Sequence, residues 1–201
     1  KVVMGYWQDK DTQERIGSWM RTAVGVIESS HVRVMRIADN MRNVAVTEGD
    51  KVEAQIKFGW EVDAYPVNEI AAVVQDVKPG DVEALVEEYY SKYQILLEGR
   101  DEAEFRKHVA VQAQIELGFE KFLEEQNYQA IVTHFGDLGS LQQLPGLAIQ
   151  RLMEKGYGFG GEGDWKTAAM VRVMKIMTQG MKDAKGTSFM EDYTYNLVPG
   201  K

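Results

Sequence analysis

The chain has 201 residues, 44% of them hydrophobic, enough for one large domain or two small ones with a true core. Lysine and arginine total 23 against 31 acidic residues, a net charge of −8 that repels nucleic-acid phosphate and attracts divalent cations. The absence of cysteine excludes disulfides, thiolate catalysis and Cys-based zinc sites, and no apolar run approaches the ~18 residues of a membrane span.

In chain order, "VVMGY" (2–6) reads as a short strand, and "DTQE" (11–14) resembles a capping box that opens a helix to about Glu28. "HVRVMRI" (31–37) alternates and predicts a strand. A polar turn, "ADNMRNVAV", leads to a second cap signal at Asp50 and a helix ending near Gly59. "WEVDAYPV" predicts a strand and 68–77 a helix; "KPGD" then breaks the chain, and Asp81 caps a helix to about Tyr93. The longest helix spans 101–125, with Phe105, His108, Val111, Ile115, Phe119 and Phe122 forming an apolar stripe at helical spacing. "YQAIVTHF" (128–135) is a buried-strand candidate, "LPGLAIQRLMEKG" a helix stopped by Gly156, 165–179 a further helix, and "TSFMEDYTY" (187–195) a closing strand. Strands separated by helices imply an α/β fold with a mostly parallel sheet covered on both faces, whose ligands bind in loops at the carboxyl ends of the strands.

The stretch "GYGFGGEGDWKTA" fits G-x-G-x-x-G twice, yet it follows a helix rather than a strand and carries Glu162, which would oppose a pyrophosphate. The other reading is that the glycines let the backbone approach a ligand closely and present Glu162 to it. In "FMEDYTY", Phe189, Glu191, Tyr193 and Tyr195 share one face of an extended strand. Two carboxylates on separate elements could hold a hard divalent ion or pass protons, though two oxygens are too few for a full shell. His108 lies on the helix stripe and His31 starts a strand. His134, at the end of a strand beside Phe135, is the histidine placed at a loop mouth. Met170, Met174 and Met177 read as core packing, and Tyr89, Tyr90 and Tyr93 as helix-boundary residues.

The segments "GYWQDK…ERIGSWMRTAV", "QLPGLAIQRLMEKGYGFGGEGDWKTAAMVRVMK" and "GTSFMEDYTY" together resemble the L-arabinose isomerase family from one end of the chain to the other. The resemblance implies a Rossmann-like central domain and an intramolecular oxidoreductase that interconverts L-arabinose and L-ribulose, and also D-galactose and D-tagatose, through an enediol. It implies a divalent metal, usually Mn²⁺, held by two glutamates and two histidines. The glutamates match Glu162 and Glu191, which also serve as proton shuttles; Met41, Phe135 and Tyr193 match positions lining the sugar pocket. It further implies a cytoplasmic homohexamer, with no nucleic-acid or membrane partner. The chain would then comprise the end of an N-terminal domain (1–30), a central α/β domain (31–185) and a short β segment opening a C-terminal domain (186–201), with the two metal histidines lying outside it. Glycines at the Glu162 loop would make room for a metal-bound polyol. One local departure concerns substrate: "THFGDLGS" places His134 and Gly136 where the family pattern has a hydroxyl residue and a carboxylate. A non-catalytic sugar-binding α/β module is the alternative expectation.

Overall fold

The structure, a computed structural model, describes residues 2–182, 184 and 186–188. Among these, four strands form one parallel sheet: β1 (Arg33–Ile37), β2 (Glu61–Tyr65), β3 (Ala130–Val132) and β4 (Gly158–Gly160). Their order is β2-β1-β3-β4, with Val34 opposite both Val62 and Ala130, and Ile131 opposite Phe159. This is the start of a doubly wound sheet, whose strand order reverses between β1 and β3.

The period-two alternation of β1 divides the core. Met35 and Ile37 face helices α3 (Val67–Gln75), α5 (Glu102–Glu125) and α6 (Gly146–Glu154), in a layer holding Ile70, Ile115, Phe119 and Leu152. Val32 and Val34 face the other way, toward Ala54 of α2 (Lys51–Phe58) and Trp165, Ala168 and Val173 of α7 (Trp165–Thr178). Helix α1 (Lys10–Ser29) packs on α7 so closely that a Cβ at Gly25 would collide with Met177. Helix α4 (Pro79–Lys92) covers the outer side of α5 through Leu85, Val86 and Tyr89. Each of the Val, Leu, Ile, Met and Phe side chains among these contributes about 1.5–3 kcal/mol on full burial.

Local signals explain several boundaries. The Asp50 carboxylate accepts from Glu53 N at 2.8 Å to open α2, and Gly59 ends it at φ 77°, tight against the Ser30 backbone. Asp101 opens α5 in the same way, accepting from Glu104 N. Other expectations are corrected. Residues 2–6 form no strand. Helix α1 starts at Lys10 after Asp9, and α4 starts at Pro79, so Asp11 and Asp81 sit in the first turns, where they complement the helix dipole instead of capping. The buried face of α5 runs through Val109, Ala113, Glu116 and Phe119, which turns His108 to solvent. Met170 and Met174 are exposed, and only Met177 of that run packs on the core. Tyr89 is fully buried. The expected strand over 187–195, with Glu191 and Tyr193, extends outside the described residues. Among the described residues no helix is long and apolar enough to cross a membrane.

Candidate functional site

The carboxyl ends of β1, β3 and β4 launch three loops that meet at the point where the strand order reverses. The loop after β1 carries Met41, that after β3 carries His134 and Phe135, and that after β4 carries Glu162. Backbone hydrogen bonds tie them together: Met41 N donates to Glu162 O at 3.2 Å, and Gly163 N donates to Thr133 O at 3.2 Å. A Cβ at Gly163 would lie 2.8 Å from Asp39 O, so the first and third loops are in direct contact.

Glu162 is half-buried and sits at φ 54°, in the left-handed region that non-glycine residues rarely adopt. Ala38 and Asn43, on either side of Met41, do the same at φ 65° and 68°. Such conformations cost about 1–3 kcal/mol each and cluster where function fixes the backbone. Glu162 lines a cavity of about 350 Å³ with Thr133, His134, Phe135, Leu144 and Pro145. Phe135 stands half-exposed at its rim, Met41 is partly buried on the neighbouring loop, and His134 is buried. Sequence reading thus named three residues, Met41, Phe135 and Glu162, from one loop cluster; Glu191 and Tyr193 lie outside the described residues.

Two of the glycines have a different task from the one expected of them, while Gly161 lines the cavity beside Glu162. Gly158–Gly160 is itself strand β4, and Cβ atoms at Gly158 and Gly160 would collide with the carbonyl oxygens of Ala168 and Asp164. These two glycines let α7 lie directly against the strand; they do not open space for a ligand. A strand–turn–helix does therefore exist here, as a dinucleotide loop would require. However, the first N–H groups of α7 are already taken: the Asp164 carboxylate accepts from Lys166 N at 3.0 Å and Thr167 N at 3.1 Å. A capping carboxylate plus Glu162 leaves no anion site at that helix end.

One residue escaped the sequence reading. Arg36 shares the β1 face of Val34 and is fully buried beneath the loops. Its Nη2 donates to Glu48 Oε2 at 3.1 Å and to Asn40 Oδ1 at 3.4 Å. Nη1 lies 3.0 Å from Asp39 Oδ1 as an ion pair, but without the alignment of a hydrogen bond, and Nε has no partner among the described residues. The Glu48 carboxyl is pushed up by partial burial, but the Gly49 N–H and Arg36 outweigh this and hold it below the ordinary value. The available signal was an arginine within a run of apolar strand residues.

Comparison with known proteins adds the lineage. The model of the L-arabinose isomerase central domain matches residues 33–180, and that of the L-arabinose isomerase N-terminal domain matches residues 1–31. Over 200 residues the chain is 54% identical to the L-arabinose isomerase of Geobacillus stearothermophilus, covering all of this chain and 40% of that protein. It is 53% identical over 199 residues to the L-arabinose isomerase of Enterobacter sp. (strain 638), covering 99% of this chain and 39% of that protein. The chain thus spans about 40% of the length of the curated relatives it matches. With a matched central domain running through all four strands and the loop cluster, the chain belongs to the L-arabinose isomerase family.

Proposed function

We propose that this chain forms the middle of a metal-dependent aldose–ketose isomerase that converts L-arabinose to L-ribulose, and also D-galactose to D-tagatose. Residues 31–185 would be its central domain, 1–30 the end of the domain before it and 186–201 the start of the one after. The observation that carries this reading is a half-buried carboxylate, Glu162, held at positive φ where three strand-end loops meet beside a cavity. The high identity to proteins named L-arabinose isomerase supports the choice of sugar.

Isomerisation needs a base to take the C2 proton of the aldose while O1 is protonated. The resulting enediol then loses the O2 proton and gains a proton at C1. In the proposal Glu162 and Glu191 divide these transfers, and Met41, Phe135 and Tyr193 line the sugar. Among the described residues no three or more acidic or histidine side chains are grouped to hold an ion. Glu162 offers one hard oxygen donor suited to a divalent cation such as Mn²⁺. Glu191 and two histidines from outside this chain would complete the set. A bound divalent ion would act as a Lewis acid toward the oxygen that develops negative charge. The proposal extends to a cytoplasmic homohexamer, which light scattering on the full-length protein would test.

The test is ketose formation from L-arabinose with Mn²⁺. In the full-length protein, Glu162→Gln should lower kcat by about 10²–10⁴-fold while sugar binding is kept. Unchanged turnover would favour a sugar-binding module in which Glu162 is structural. The chain of 201 residues alone should form no ketose; appreciable product would show that the residues outside it are not needed.

A further inference from the structure

His134 is buried beside the Glu162 cavity. Only 9% of its surface is exposed, and its Nδ1 is sealed from solvent with no hydrogen-bond partner among the described residues. Gly136 leaves the ring its room, since a Cβ there would lie 3.3 Å from Nδ1. Burying an imidazole nitrogen without a hydrogen bond costs free energy that no described residue returns. His134 is nevertheless among the residues that line the Glu162 cavity, together with Thr133 and Phe135. A sealed N–H without an acceptor is rarer and costlier than a sealed lone pair. The tautomer with its proton on Nε2 is therefore favoured, and the ring carries one donor that no described residue accepts.

We propose that His134 is a specificity-determining residue whose Nε2–H donates to a hydroxyl of the polyol bound in the Glu162 cavity. The assignment rests on the isomerase reading and adds to it a contact that discriminates among sugars by the position of that hydroxyl. Sites that hydrogen-bond a hydroxyl reject analogues lacking it, because the buried partner is then left unpaired. A recognition contact made equally in the ground and transition states raises KM when lost and leaves kcat in place.

The test uses the full-length protein with L-arabinose as substrate and L-arabinitol, which has no carbonyl and cannot react, as a calorimetric probe. His134→Ala should raise both KM for L-arabinose and Kd for L-arabinitol by about 3–10-fold, as for loss of one neutral hydrogen bond, with kcat within about twofold. His134→Gln, which keeps a donor, should recover part of the loss. Parental affinities in folded His134→Ala, or a fall in kcat alone, would overturn the assignment while leaving the isomerase reading intact. A parent protein that neither binds the pentitol nor turns over L-arabinose would overturn both.

Discussion

Two regions of this molecule bury an arginine, and they treat it in opposite ways. At the α4–α5–α6 contact, Arg151 is 5% exposed and every donor nitrogen is used. Nε reaches both oxygens of Glu116 at 3.0 and 2.8 Å, Nη1 reaches the Tyr93 hydroxyl at 3.1 Å, and Nη2 reaches Glu88 at 2.6 Å. Glu116, fully buried, also accepts from the Tyr89 hydroxyl at 2.5 Å. Burial, and then the Glu116 carboxylate, push the Tyr89 phenol above its ordinary range. At the loop cluster, Arg36 and His134 are also buried but keep nitrogens without hydrogen-bond partners among the described residues. The first region is a closed network that holds three helices together. The second leaves hydrogen-bonding capacity unspent among the described residues at the end of the sheet where ligands bind, the arrangement expected where part of the stabilisation comes from something those residues do not supply.

The comparison is broken most forcefully at the closed network. Arg151→Met leaves Glu116 buried with only Tyr89 and Lys155 beside it, and should cost about 3–5 kcal/mol in urea unfolding. Adding Glu116→Leu removes the stranded charge and should return most of that loss. If the single variant loses less than about 1 kcal/mol, the network is not what holds α6 against α5.

A smaller effect is expected where β4 meets α7. Gly160→Ala drives a methyl group into the Asp164 carbonyl and should cost about 1–3 kcal/mol, while disturbing the turn that sets Glu162. Gly146→Ala, at the start of α6 with nothing within 4 Å of the new methyl, is the control and should be neutral or slightly stabilising. Equal losses for the two would mean that close packing is not the reason for glycine at 160.

These regions differ also in how far the sequence announces them. The cap at Asp50 was legible because an aspartate with an acidic residue three positions on is a local signal, although the same pattern at Asp11 falls inside the first turn of α1. The alternation of β1 was legible for the same reason, since period two needs no partner to be seen. Strand β4 was not, because "GFG" has no strand character of its own; it is a strand because β3 pairs with it and α7 can lie against it. The Tyr89–Glu116–Arg151 network was equally hidden, as its members come from separate helices and meet only when α4, α5 and α6 dock. In the site, Glu162 stood out as a carboxylate among glycines, and Met41 and Phe135 came from family resemblance. Arg36 passed as an ordinary strand residue: alternation puts it beside Val34, but only the docked loops reveal that this end of the strand is covered.

The least of the expected effects sharpens the open region. Glu48 titrates below the ordinary glutamate value of about 4.3 despite its partial burial, held there by the Gly49 N–H and by Arg36. A carboxyl depressed in the folded state adds stability above its unfolded value and loses it as pH falls through the folded value. Stability should thus decline on the acid side of about pH 4.3, in a window set by Glu48 together with Glu154, which the hydrogen bond from Lys92 also holds low. Arg36→Met removes one of three restraining groups, the others being the Gly49 N–H and the Trp165 indole N–H, so the Glu48 carboxyl should rise toward its ordinary value in a carbon-detected NMR titration. Because Glu48 and Asp39 both reach solvent, neither is left as a buried unpaired charge, and the variant should lose less stability at neutral pH than Arg151→Met does. Its main consequence should fall on the Met41 and Glu162 loops above it. If Arg36→Met instead unfolds the chain as readily as Arg151→Met, the two buried arginines do the same job and the contrast between the regions disappears.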